Sequence, residues 1–156
     1  MHTLRGEQYG SELSGGGSCI LDEMDVIRRA RATDIEAIAR LFGEPGEPLT
    51  TAFKEIAVTP HVILVVAEDD DGVAGTAQLT VIRGLAWEGS LRGLLEGVRA
   101  SRRGVTSALL SWGIDEARRR GCARLHLDSG LNRAELRDFY ARFGFEHSYQ
   151  GFTRTL

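Results

Sequence analysis

The segment Leu125–Ser148 reads LHLDSGLNRAELRDFYARFGFEHS and has the pattern of a strand followed by a helix. The alternation over residues 123–128 predicts a β-strand. The apolar spacing over 133–143 predicts a helix that ends at Gly144. Residues 145–156 predict closing strand material. A sheet that alternates with helices is therefore expected at this end of the chain.

The preceding residues predict a hairpin, a strand and a long helix. Two β-branched apolar runs flank an Asp-Asp-Asp-Gly turn, which is typical of an antiparallel hairpin. A further strand precedes a helix with apolar side chains at helical spacing. The predicted elements are the strands 61–68, 73–82 and 91–100 and the helix 105–120.

The N-terminal third predicts one strand and two helices. Val26 and Ile27 begin a strand, and Thr33 with Glu36 has the spacing of a capping box for a helix over 34–42. A shorter helix is expected over 50–57. The order β-α-α-β-β-β-α-β-α-β predicts a mixed α/β fold of the α+β type, whose helical crossovers require at least one parallel pair of strands.

Length and composition predict one domain. The chain has 156 residues, of which 42% are hydrophobic and 26% charged. Residues 1–24 are rich in Gly and Ser and predict a flexible tail, which leaves 25–156 for the fold. No apolar run is long enough to span a membrane, and no secretory signal is evident, so we expect a cytoplasmic protein.

The net charge, the spacing of cysteine and histidine and the motif content each disfavour a class of function. A formal net charge of −3 disfavours nucleic acid as a partner. Cys19 and Cys122 form no ligand pair, and the four histidines lack metal spacing, so neither a metal site nor a disulfide framework is expected. The Gly-rich motif of Rossmann folds and the Walker lysine motif are both missing.

Four stretches together resemble the GNAT superfamily of acetyl-CoA-dependent N-acetyltransferases. They read GTAQLTVIRGL from Gly75, LLEGVR from Leu94, SALLSWGIDEARRRGCARLHLD from Ser107 and FYARFGF from Phe139. The resemblance runs from about Val26 to the end of the chain. It implies a mostly antiparallel sheet with flanking helices and a splayed pair of parallel strands. Acetyl-CoA as co-substrate and a possible homodimer are implied with it.

The resemblance also implies where coenzyme A binds. Residues 96–100 would offer an open strand edge to pantetheine, with Val98 and Ala100 as backbone partners. The pyrophosphate would lie at the N-terminus of the next helix, where partial positive charge collects. The candidates there are Arg102, Arg103, Gly104, Val105 and Thr106, and Asn132 either contacts the cofactor or caps the last helix.

The connection before that helix departs from the family pattern Arg/Gln-x-x-Gly-x-Gly/Ala. In one alignment Ser101 and Thr106 stand where the pattern has other residues, and only Gly104 fits. An alternative alignment matches Arg103 and Gly104 to the family's Arg-Gly pair, but the two residues that follow are then absent. The connection looks roughly four residues shorter than in the family, about one helical turn. Arg102 and Arg103 could compensate for the lost amides with guanidinium charge.

Tyr140 occupies the family's tyrosine position, which implies a general acid that protonates the leaving thiolate. An aromatic core residue is the alternative. Glu96 is the candidate base for the attacking amine, with an exposed strand carboxylate as its alternative and Asp128 as a second choice. The loops 43–60 and 83–90 are expected to shape the acceptor site, with Arg83 and Trp87 as possible lining residues.

The sequence therefore predicts transfer of an acetyl group to a primary amine of a small molecule or peptide, directly within a ternary complex. A catalytically degenerate domain that senses acyl-CoA or binds a protein is the alternative, because fold alone does not establish activity.

Overall fold

The computed structural model describes residues 26–129, 134–148 and 152–156. The predicted tail, 1–24, and Asn132 lie outside these residues. In chain order the elements are β1 (Val26–Arg29), a 3-10 turn (Ala32–Asp34), α1 (Ile35–Phe42), α2 (Gly46–Val58), β2 (Val62–Asp69), β3 (Gly72–Arg83), α3 (Ala86–Gly89), β4 (Leu91–Ala100), α4 (Arg103–Arg119), β5 (Cys122–Leu127) and α5 (Ala134–Ala141).

The strands form one sheet in the order β1-β2-β3-β4-β5. The first three pairs are antiparallel, and β4 pairs with β5 in parallel. The parallel pair follows from α4, because a helix that crosses back over the sheet returns the chain in the same direction. The predicted mixed fold is confirmed.

Helix α4 packs on one face of the sheet and forms the main core with it. Leu79, Leu95, Leu109 and Leu110 are completely buried there. The backbone of Gly113 lies so close to β4 that an added Cβ would be 2.7 Å from Cδ2 of Leu95. Glycine therefore allows α4 to lie directly on β4.

Helices α1 and α2 cover the opposite face. Ile35, Ile38 and Ala39 are buried and recur at the spacing of one helical face. By contrast, α2 has no buried residue. This difference leaves space between α2 and the sheet.

An ion-pair network sets the position of α1. Arg28 on β1 donates from both Nη atoms to Asp34, at 2.7 and 2.9 Å, and from Nε to Glu68 on β2 at 2.7 Å. The hydrogen bonds from Arg28 hold the pKa of the Asp34 carboxyl below its usual range. Asp34 also accepts from the backbone N–H of Arg31 at 2.7 Å. The predicted Thr33 cap is wrong, because Thr33 lies inside a 3-10 turn and Asp34, which makes no side-chain capping hydrogen bond, holds the N-cap position of α1.

Three predicted boundaries need correction. Helix α2 begins at Gly46 and not at residue 50, since Pro48 is compatible with a first helical turn. Helix α4 begins at Arg103 and not near residue 105, since the backbone is still extended at Arg102. The predicted closing strand does not form within 145–148 and 152–156. Phe152 and Leu156 are fully exposed, so no apolar packing of these side chains holds 152–156 against the sheet.

Candidate active site

Strand β4 is paired on both sides along its first half only. Leu91–Leu95 pairs with both β3 and β5. The contact with the β5 side ends where the N–H of Asp128 donates to the carbonyl of Leu95 at 3.0 Å. Beyond that point Glu96–Ala100, which we call the open edge, has a strand neighbour only in β3 among the described residues. The predicted splay of the parallel pair is observed in this geometry.

A β-bulge begins the open edge. Gln78 on β3 is opposite Glu96, whereas Thr76 is opposite Arg99, so β4 has one extra residue. Gly97 adopts a φ of 60° within it, a conformation that glycine reaches without steric cost. A Cβ on Gly97 would also lie 3.3 Å from Cζ of Phe42. The bulge lies directly after the point where pairing of β4 with β5 ends at Leu95.

The backbone of the open edge carries the predicted pantetheine partners. Val98 and Ala100 both lie on it, as the sequence predicts. Nη1 of Arg99 donates to the carbonyl of Val98 at 3.0 Å through an exposed contact. The N–H of Ser101 donates to the carbonyl of Ala74 at 2.9 Å, so pairing with β3 continues past the strand.

The connection from β4 to α4 consists of Ser101 and Arg102 alone. The N–H groups of Arg103, Gly104 and Val105 lie in the first turn of α4, where no carbonyl of the helix can accept them. Arg102 is within 3.5 Å of Asp69. The side chain of Val105 is completely buried, so only its backbone can contact a ligand.

This helix start can hold an anion. Three orphan N–H groups and the partial positive charge of a 17-residue helix converge there, and the exposed Arg103 adds a guanidinium group. The donors suit phosphate oxygens, which accept several hydrogen bonds at once. The site is compact because the connection has two residues, and its shortness relative to the family stays a prediction.

Glu96 lines a cavity on the face covered by α1 and α2. Nε2 of Gln78 donates to Oε1 of Glu96 at 2.9 Å. The cavity has a volume of about 310 Å³, and its other walls come mainly from apolar side chains of α1 and α2. We call it the Glu96 cavity. It adjoins the open edge, since Glu96 and Gly97 belong to both. The predicted loop 43–60 therefore does contribute to this region, as helix α2.

Tyr140 reaches the sheet from a separate element. It is half-buried on α5, with its ring 5.5 Å from that of Phe139 and 6.4 Å from that of Phe145. Phe139 belongs to the core on the α4 side, against which Tyr140 also packs. Glu96 on β4 therefore lines the cavity on the side of α1 and α2, whereas Tyr140 on α5 packs against the core on the side of α4.

Arg83 and Trp87 do not line the Glu96 cavity, and their place at the acceptor site stays a prediction. The backbone of Trp87 is left-handed, with a φ of 50°. Its ring therefore lies against β5, 5.9 Å from the His126 ring and 5.0 Å from the Arg124 guanidinium carbon. Arg83 donates to the carbonyl of Gly89 at 3.0 Å. It lines a different cavity, of about 410 Å³.

Asp128 and Cys122 lie at the two ends of β5. Asp128 follows β5 directly at the point of splay. Burial raises the pKa of the Cys122 thiol, which disfavours the thiolate form that a nucleophilic cysteine needs. Within the described ranges no three His, Cys, Asp or Glu side chains are grouped to hold a metal ion. No described helix is long and apolar enough to cross a membrane.

Sequence reasoning missed two residues of the site, Gln78 and Gly97. A glycine inside a strand pattern signals a bulge, and this signal was available at position 97. Gln78 gave a weaker signal as an amide within an apolar strand. Its contact with Glu96 depends on the register between β3 and β4, which the sequence does not specify.

Comparison with known proteins agrees with this geometry. The model of the acetyltransferase (GNAT) family matches residues 29–145, three quarters of the chain. The chain belongs to the GNAT acetyltransferase family. Enzymes of this family generally use acetyl-CoA and act as acyltransferases. No curated protein matches the chain.

Several solved structures share the fold. A transcriptional regulator from Bacillus halodurans is 28% identical with a TM-score of 0.76, covering 85% of this chain and 99% of its own. Glucosamine-6-phosphate N-acetyltransferase from Arabidopsis thaliana is 19% identical with a TM-score of 0.70, with coverages of 85% and 99%. A predicted acetyltransferase from Clostridium acetobutylicum, solved with acetyl-CoA, is 18% identical with a TM-score of 0.63, with coverages of 83% and 96%.

Proposed function

We propose that this GNAT protein transfers the acetyl group of acetyl-CoA to a primary amine within a ternary complex. The observation that carries the proposal is the position of Glu96, which lies both on the open edge of β4 and in a cavity large enough for a small acceptor. Strand β4 thus offers its backbone to acetyl-CoA and the carboxylate of Glu96 to the acceptor amine.

Acetyl-CoA supplies the activated acyl group, and the open edge fits its pantetheine arm. Amides in pantetheine are suited to pair with exposed strand backbone, as an added strand would. The first turn of α4 with Arg103 provides donors for the pyrophosphate. Arg102 approaches the same turn from the preceding position.

The carboxylate of Glu96 acts as the base in this proposal. It accepts a proton from the amine nitrogen, whose lone pair forms the bond to the acyl carbon. The hydrogen bond from Gln78 orients the carboxylate through Oε1. Among the described residues Gln78 is the one hydrogen-bond partner of this carboxylate, so Oε2 remains for the amine.

Tyr140 acts as the general acid. When the bond between the acyl carbon and sulfur breaks, the phenol hydroxyl gives its proton to the departing thiolate. Most of the rate enhancement would come from holding amine and thioester together. No covalent acyl-enzyme is needed, because the two substrates react directly.

The test combines calorimetry with product analysis. Titration with acetyl-CoA should give a saturable heat that weakens in Arg103→Gln, whereas Arg118→Gln at the exposed far end of α4 should bind as the wild type does. Mass spectrometry should then detect acetylated products from a panel of primary amines. If acetyl-CoA neither binds nor shifts the melting temperature, the proposed function is wrong.

A second candidate is a domain that senses acyl-CoA without catalysis. The two-residue connection before α4 favours it, as does the 28% identity to a transcriptional regulator. This candidate predicts saturable binding of acetyl-CoA with no acetylated product from any amine in the panel. The same two measurements therefore separate it from the enzyme.

A further inference from the structure

The Glu96 cavity is polar at one end only. Among the described lining residues, Glu96 and Gln78 have polar side chains, and Gln78 donates a hydrogen bond to Glu96 at 2.9 Å. Gly97 completes this end with backbone from the bulge. A ligand that uses the polar end must direct the rest of its structure along the other walls.

Those other walls are apolar. Helix α1 contributes Phe42, and α2 contributes Leu49, Phe53 and Ile56. All four side chains are half-buried, and α2 has no buried residue, so they border the cavity and do not fill a core. Apolar surface of this kind gains free energy when a ligand removes it from water.

The charge in the cavity is of one sign. Glu96 is the one charged side chain that lines it among the described residues. The guanidinium group of Arg99 lies over the Phe42 ring, 5.1 Å from its centroid, but does not line the cavity. A ligand carboxylate would therefore meet a like charge and no cation. A second ammonium group would meet only hydrocarbon.

Resting on the proposed function, we propose that the acceptor is a primary monoamine whose amine is attached to an alkyl or arylalkyl group with no further charge. Its ammonium group would bind at Oε2 of Glu96, and its apolar body would lie between α1, α2 and the sheet. A volume of about 310 Å³ is at the lower end of the range for small-molecule pockets, about 300–1,000 Å³. The apolar body is accordingly small.

The first test is a series of unbranched alkylamines with saturating acetyl-CoA. We expect kcat/KM to rise about fourfold per added methylene, the gain from burying one such group, and to level off or fall once the cavity is filled. 2-Phenylethylamine should be a good acceptor. 1,5-Diaminopentane and norleucine, which add an ammonium or a carboxylate group to pentylamine, should be at least about tenfold poorer than pentylamine.

Substitutions of Phe53 on α2 test whether the Glu96 cavity determines which alkylamine is the best acceptor. Phe53→Ala enlarges the cavity and should move the best acceptor to a longer chain, while Phe53→Trp should move it to a shorter one. Val58→Ala is the matched control, because Val58 is on the same helix, is 79% exposed and does not line the cavity. The KM for acetyl-CoA should stay constant in all three.

The outcomes distinguish this inference from the proposed function. A flat alkylamine series with efficient acetylation of polyamines, amino acids or peptides would overturn the apolar acceptor and leave acetyl transfer intact. An unchanged chain-length optimum in both Phe53 variants would overturn the cavity as the binding site. Acetyl-CoA binding without acetylation of any amine would overturn the proposed function and the inference together.

Discussion

The two halves of β4 share one strand and have opposite surroundings. In the first half, Leu91–Leu95 pairs with strands on both sides, and Gly113 on α4 touches Leu95. In the second half, Glu96–Ala100 pairs on one side, is interrupted by a bulge and borders a cavity. In the first half, full pairing and close packing hold the sheet together. In the second half, one side of the backbone has no strand neighbour, so the backbone and the Glu96 carboxylate are available to ligands.

This contrast implies that stability and activity depend on neighbouring residues in different ways. A substitution in the first half should lower the free energy of unfolding and leave the chemistry of correctly folded molecules unchanged. Substitution of the Glu96 side chain in the second half should do the reverse. Residues 95 and 96 are adjacent in sequence, so they provide the sharpest test.

The largest effect on stability is expected for Leu95→Ala. Its side chain is completely buried against Gly113, and its truncation leaves a cavity that costs about 2–5 kcal/mol. Urea denaturation measures the loss, with the exposed Val58→Ala as control. KM values at a temperature where the variant is folded should match the wild type. A cost below about 1 kcal/mol would show that α4 and β4 are not closely packed.

Glu96→Gln should lower kcat/KM by about 10²–10³-fold, because the amide cannot accept the proton of the amine. Gln retains an oxygen to accept from Gln78, so the free energy of unfolding should change little. Steady-state kinetics with the best amine measures the effect, and Glu55→Gln, on the exposed face of α2, is the matched control. Full activity in Glu96→Gln would leave the second half of β4 with a binding role only.

Much of this contrast can be predicted from sequence, and the reason lies in local patterns. The order of the elements up to α5, apart from the short helix α3 within the predicted loop 83–90, follows from periodicity and turn residues. The short connection before α4 and the candidate Glu96 follow with the family resemblance. The open edge follows from the resemblance as well. Each of these depends on residues that are close in the chain.

Features that depend on distant residues were missed. The contact of Gln78 with Glu96 requires the register between two strands, and the pairing of Arg28 with Asp34 and Glu68 requires three elements together. The ring of Trp87 lies 5.9 Å from that of His126 on β5, a contact between residues far apart in the chain. Tertiary geometry determines all of these.

Tyr140→Phe should lower turnover by about 10²-fold, because the leaving thiolate loses its proton donor. Binding of acetyl-CoA, measured by calorimetry, should not change. A thioester with a more acidic thiol needs less protonation, so an acetyl thioester of p-nitrothiophenol should restore most of the rate. A purely structural tyrosine predicts an equal loss with both thioesters, and that result would remove Tyr140 from the chemistry.

Gly97→Ala tests the bulge itself. The φ of 60° strains any residue with a Cβ, at about 1–2 kcal/mol, and the Cβ would also approach Phe42. Gly43→Ala is the matched control, since its φ is 72° and no atom lies within 4 Å of its Cβ. Both variants should lose similar stability in thermal denaturation, but only Gly97→Ala should also raise the KM for acetyl-CoA. If the two variants had the same KM for acetyl-CoA, the bulge would have no role in cofactor binding.

The smallest effect on stability is expected at the C-terminal end of α4. This helix packs against β5, which pairs with the first half of β4. Glu116 accepts hydrogen bonds from Arg119 at 2.8 and 2.7 Å and from Arg120 at 2.7 Å. These bonds, with Arg119 the larger cause, lower the pKa of Glu116 to about 2. The carboxylate is therefore favoured by folding, so its contribution is present above the unfolded pKa of about 4.5 and is lost as the pH falls toward 2.

Solvent screening at the exposed Arg119 limits this contribution to about 1–2 kcal/mol. Urea denaturation of the wild type and Glu116→Gln between about pH 6 and pH 3 measures it. The difference between the two proteins should shrink as the pH falls, whereas Asp115→Asn, in an exposed pair on the same helix, should differ little from the wild type throughout. Because the second half of β4 does not adjoin this ion pair, kcat/KM of Glu116→Gln at neutral pH should equal that of the wild type. A difference in stability that is constant with pH would mean that the Glu116 charge contributes nothing to folding.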